Sequence, residues 1–86
     1  MSYKIPGGYI AKGQTLALSI SWNDLIDRGA VLVLARPVVH DCPLVTFDHS
    51  HWFEQVGSGI KQNYGFKIRN DGWTETYYEL EVGGLT

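Results

Sequence analysis

Between His40 and Trp52 the chain reads HDCPLVTFDHSHW, which gathers three His, one Cys and two Asp around a short apolar run. Each of those polar types can ligate a metal ion or move a proton. Metal ligands must converge within about 2.0–2.3 Å of one ion. On a strand His49 and His51 would share a face, whereas on a helix they would point about 200° apart. Asp48, His49 and His51 are therefore the nearest approach to a zinc-binding set, but no partner that would complete it is identifiable. If residues 31–39 and 44–48 pair as a hairpin, His40, Asp41 and Cys42 sit in its turn. The later His pair then lies beyond the far end, about 13–17 Å away. The favoured reading is structural, with the His residues hydrogen-bonded at a strand end and Asp48 capping the next segment. No cofactor is expected, with zinc as the alternative.

Other groups weigh the same way. Cys42 would need a base and a depressed pKa to act as a nucleophile, and His40, two residues away, is the available base. No nucleophile motif surrounds it, so a small apolar thiol in a turn is preferred. Glu75, Glu79 and Glu81 alternate along one strand face and read as a solvated, ion-paired row. Gly7-Gly8 and Gly57-Ser58-Gly59 lack the strand–loop–helix context of a phosphate cradle.

The elements that must position these groups are mostly of period two. TLALSISW places Leu16, Leu18, Ile20 and Trp22 on one face and Ala17, Ser19 and Ser21 on the other, a half-buried strand. AVLVLARPVV, residues 30–39, is continuously apolar and suits a central strand, with Pro37 marking an edge or bulge at its end. Ser21 with Asp24 matches a capping box and Gly29 a helix end, so residues 21–29 form a short helix or an irregular connection. LVTF reads as strand, with parity carrying Val45 and Phe47 onto the face of His49 and His51; HSHWFEQVG could instead be a short helix ending at Gly57. IPGGYI and AKGQT read as tight turns, and Tyr3 to Ile5 could be an arm that pairs with another subunit.

Two alternating runs flank Asn70-Asp71-Gly72, a strong hairpin signal. A three-residue loop sorts the faces, setting Lys67 opposite Glu75 and Lys61 opposite Glu81. One face carries Ile60, Tyr64, Phe66 and Ile68 with Thr74, Thr76, Tyr78, Leu80 and Val82. The other combines charges with Trp73 and Tyr77 beside Arg69, Gly65 and Asn63, with Gly65 letting the Tyr77 ring lie flat and Arg69 stacking on Trp73. If strand 73–83 lies at an edge, it also invites a partner strand.

The expected architecture is mainly β: a small antiparallel β-sandwich or partly open barrel with one or two short helices, residues 1–86 forming a single compact domain. At 86 residues the burial margin is thin, and a partner subunit would add to it. A net charge of -2 gives no general attraction to nucleic acid or to a membrane surface. One Cys, no leader-like apolar start and no long apolar run point to a soluble protein of a reducing, cytoplasmic compartment. The expected function is that of a binding or adaptor domain acting through protein–protein contacts, as a homodimer or with another protein, and not as an enzyme. The contact residues would be Trp73, Tyr77, Arg69, Gly65 and Asn63. The alternatives are a carbohydrate- or small-ligand-binding module on the same aromatic face, and a metal-dependent or Cys/His enzyme.

Overall fold

A computed structural model describes residues 3–27 and 30–83. Six strands follow in order: β1 (Tyr3–Ile10), β2 (Thr15–Trp22), β3 (Leu32–Pro37), β4 (Leu44–Val56), β5 (Gly59–Asn70) and β6 (Thr76–Gly83). They form two three-stranded antiparallel sheets, β1-β6-β3 and β2-β5-β4. The sheets pack as a sandwich, not a closed barrel. Ile10, Val33, Ala35 and Leu80 from the first meet Phe66 and Ile68 from the second, with Ile5, Leu16, Leu18, Ile20, Leu44 and Tyr78 around them. Burying a side chain such as Phe66 or Ile68 stabilises the fold by about 1.5–3 kcal/mol.

The alternation of β2 is as expected, with Leu16, Leu18, Ile20 and Trp22 half-buried and Ala17, Ser19 and Ser21 exposed. The strand ladder between β2 and β5 runs unbroken from Thr15 opposite Arg69 to Trp22 opposite Gln62.

The expected hairpin across Asn70-Asp71-Gly72 does not form. β5 lies at the centre of one sheet and β6 at the centre of the other. The alternation within each strand survives: Phe66, Ile68, Thr76, Leu80 and Val82 are all buried. What differs is how those faces are covered. Paired side by side they would share one face that still needed a lid; crossing between sheets turns the two apolar faces toward each other. Asn70 drives the crossing. Its buried amide donates to the carbonyls of Thr74 (2.9 Å) and Ile10 (3.4 Å), and its Oδ1 accepts from Gly72 N (2.8 Å). The chain is thereby led off the end of one sheet and across to the other. Lys67 and Lys61 consequently pair with Asp48 (3.2 Å) and Glu54 (3.8 Å), not with Glu75 and Glu81.

Other expectations change for the same reason. β3 and β4 belong to different sheets, so no hairpin joins residues 31–39 to 44–48. β3 is an edge strand, not a central one, and Leu32 and Leu34 face solvent. Strand β6 is central, so it has no open edge to offer. IPGGYI lies within β1, where the register shifts between Pro6 and Tyr9. No helix occurs among the described residues. After Trp22, Asp24 Oδ1 accepts from Ile26 N (3.1 Å), a local bond that competes with helix formation. Gly29, the expected helix end, lies outside the described residues. HSHWFEQV is strand, and Gly57 (φ 58°) serves the tight β4–β5 turn.

Candidate functional site

The connections 11–14, 38–43 and 71–75 meet at one end of the sandwich. There Gly13 N donates to Asn70 O and Asp71 N to Pro43 O, both at 3.0 Å. Cys42 belongs to this end. It is buried, Gly72 packs directly on it, and its Sγ lies 3.6 Å from Thr74 O. His40 is exposed, and its carbonyl accepts from Trp73 Nε1 (3.0 Å). The thiol is thus buried and lies against a backbone carbonyl.

Asp48 is not a helix cap. It takes a left-handed conformation (φ 54°) at a break in the β4 register between Phe47 and Ser50. Asp tolerates this conformation better than most residues. The extra residue reverses the parity of β4. Val45 and Phe47 share the outer face with Ser50, Trp52 and Glu54, while His49 and His51 turn inward. The expected grouping of Val45 and Phe47 with the His pair is therefore broken by one residue.

The three residues of the zinc alternative disperse. Asp48 pairs with Lys67, His49 lies near the Phe66 ring, and His51 stacks on Tyr64 with centroids 4.4 Å apart. Gln62 holds His51 in place. Its Nε2 donates to the carbonyls of Ile26 (3.2 Å) and Asp24 (3.4 Å), so Oε1 accepts from Tyr64 OH (2.7 Å) and His51 Nε2 (3.0 Å). Among the described residues no three His, Cys, Asp or Glu side chains converge as a metal site. A shallow cleft bounded by Val31, His49, His51 and Tyr64 opens beside them.

The expected contact set is split between opposite faces. Asn63, Gly65 and Arg69 lie on the outer face of the β2-β5-β4 sheet. Tyr77 lies on the outer face of the other sheet, and Trp73 sits in the connection between them. Arg69 does not stack on Trp73. It forms a two-point ion pair with Asp71 (2.7 and 3.0 Å) and lies 5.3 Å from the Phe47 ring centre. The bonds from Arg69 hold the Asp71 carboxyl below its usual pKa, and the pairing raises that of Arg69. The Thr74 hydroxyl, by donating to Glu75, lowers that carboxyl as well.

An aromatic does cover Gly65, but it is Trp52. A Cβ at Gly65 would lie 2.8 Å from the indole and 2.9 Å from Ser50 Oγ. Beside the ring, buried Asn63 accepts from Ser21 Oγ (2.7 Å) and its Nδ2 lies 3.5 Å from Glu54. Sequence reasoning missed Trp52 because the helical and strand signals over residues 48–56 conflicted and no signal marked the bulge.

On the outer face of the β1-β6-β3 sheet, Tyr9 and Tyr77 form an edge-to-face pair with centroids 5.9 Å apart, and Leu32 and Leu34 stand exposed. The charges there are satisfied within the face: Arg36 binds Glu81, and Lys4 lies 3.9 Å from Glu79. No helix among the described residues is long and apolar enough to cross a membrane. Comparison with protein-family models, curated proteins and solved structures found no match for this chain.

Proposed function

We propose that this chain is a protein-contact domain that works in the cytoplasm as a homodimer, with the outer face of the β1-β6-β3 sheet docking a partner protein. The observation that carries this reading is the character of that face. Tyr9, Tyr77, Leu32 and Leu34 are each at least half exposed. The ions between them are already paired with one another. A face that is apolar and internally neutral loses little when water leaves it, and aromatic anchors are the residues that concentrate binding energy. Of the expected contact set, Tyr77 lies on this face; Trp73 sits in the connection between the sheets, and Asn63, Gly65 and Arg69 lie on the opposite sheet.

The test is a Leu34→Ser/Tyr77→Ser variant. Both side chains are exposed, so the fold should persist by circular dichroism. Proteins recovered from a cell extract by the wild type should be lost from the variant. An unchanged set would refute the use of this face.

A second reading rests on Trp52. An indole spread over Gly65 and flanked by Asn63, Ser21 and Glu54 suits the stacking of a sugar ring. A glycan array read with wild type and Trp52→Ala decides it: binding lost with the indole supports this reading, and no glycan bound removes it.

A further inference from the structure

The four sheet edges of this molecule are not alike. β1 carries Lys4, Pro6 and a register break. β3 ends in Arg36 and Pro37. β4 is interrupted at Asp48 and also carries Glu54. Each of these devices discourages a foreign strand from adding to the sheet. β2 has none of them. From Thr15 to Ser21 it holds no charge, no Pro and no bulge, and among the described residues no strand pairs with its outer side.

The backbone of that edge is poised to pair. Asn70 N donates to Gln14 O, which fixes the phase of the ladder. Leu16, Leu18 and Ile20 direct their N–H and C=O groups at β5, and Thr15, Ala17, Ser19 and Ser21 direct theirs outward. We propose that a second copy of this chain occupies the edge, β2 pairing with β2 in antiparallel fashion about a two-fold axis at Leu18. In that register Thr15 faces Ser21 of the second copy and Ala17 faces Ser19. Every outward group between Thr15 and Ser21 is then used. Leu16 meets Ile20 and Leu18 meets Leu18 on the inner side, and only small residues meet on the outer side. The segment is its own complement: apolar positions match apolar positions, and no like charges are brought together. The two β2-β5-β4 sheets become one continuous six-stranded sheet.

This inference rests on the reading of the chain as a homodimer and specifies where the copies meet. It is tested by sedimentation and by cross-linking. The wild type should sediment as a dimer. An Ala17→Lys/Ser19→Lys variant sets Lys against Lys at both pairs, on exposed positions that leave the core untouched. Its dimer should be weaker by about tenfold or more. A Thr15→Cys/Ser21→Cys/Cys42→Ser variant should link two chains on mild oxidation, because paired Cα atoms about 5.5 Å apart suit a disulfide. The same two positions within one chain stand about 20 Å apart along the strand and cannot join. A wild type that stays monomeric at millimolar concentration overturns both this inference and the homodimer reading. A dimer that ignores the Lys pair and does not cross-link overturns this inference alone and leaves the homodimer standing.

Discussion

The two ends of this sandwich are built on different principles. At the end where residues 11–14, 38–43 and 71–75 meet, polar groups are buried and satisfied: Asn70, Thr76 and Cys42 are at most 2% exposed. Thr76 Oγ1 accepts from Val38 N (3.2 Å) and Val39 N (3.1 Å). At the other end the β4–β5 hairpin runs on in a molecule 45 Å long and 19 Å thick, and every residue from Asp48 to Ile60 is exposed. The difference separates what fixes the fold from what is available for contact. A buried amide without its partners costs about 1–3 kcal/mol, so the closed end enforces one connectivity. Toward the projecting end Gln62 and Asn63 are likewise buried and bonded, but the exposed tip around the β4–β5 turn meets no such constraint and tolerates change.

Two phenylalanines give the largest contrast. Phe66 is 3% exposed within the core and Phe53 is 57% exposed on the hairpin. Phe66→Ala should lower stability by about 3–5 kcal/mol, and Phe53→Ala by about 0.5 kcal/mol or less, read from urea midpoints. Comparable losses would show that the hairpin is part of the core and end the distinction.

Two glycines test it at the backbone. A Cβ at Gly72 would stand 2.5 Å from the Cys42 Cα, a backbone atom that cannot swing aside. A Cβ at Gly59 would meet only the Val56 carbonyl, at an ordinary 3.7 Å. Gly72→Ala should cost about 1–3 kcal/mol, whereas Gly59→Ala should change stability by a few tenths at most, by thermal unfolding.

The smallest effect is electrostatic. Asp71 has its folded-state pKa lowered by Arg69. Its contribution to stability is therefore present above the unfolded carboxylate pKa and is lost as pH falls through the lower folded value. The group is exposed, so the loss should be slight. Carboxyl-carbon NMR should place the Asp71 midpoint below that of an ordinary aspartate, and Arg69→Gln should move it back up. A midpoint unchanged by Arg69→Gln would remove the pair from the account of the closed end.

Much of this molecule was legible in its residues. Alternation in TLALSISW and in residues 64–69 and 76–82 set strand identity and named the side chains that become core, because the period of a strand is a local property. The reading that put His49 and His51 at a strand end with Asp48 as a cap fails in its placement, since both His lie within β4 and Asp48 sits at its register break. Gly65 was correctly read as a seat for an aromatic ring, but the ring is Trp52 in place of Tyr77, because β5 pairs with β4. The single inserted residue at Asp48 reversed the parity of half a strand and carried no warning beyond the tolerance of Asp for that backbone.

What the sequence determined by itself is therefore the alternation and the apolar faces of β2, β5 and β6, and turns between β1 and β2 and between β3 and β4. Only the tertiary structure decided which strands are neighbours, and with that which charges pair, which faces meet solvent and which edge stands open. The reason is physical. A turn signal such as Asn70-Asp71-Gly72 constrains a few dihedral angles. Whether the following strand lies beside its predecessor or crosses to the opposite sheet is settled by burying both apolar faces at once and by satisfying one buried amide, and neither is a local quantity.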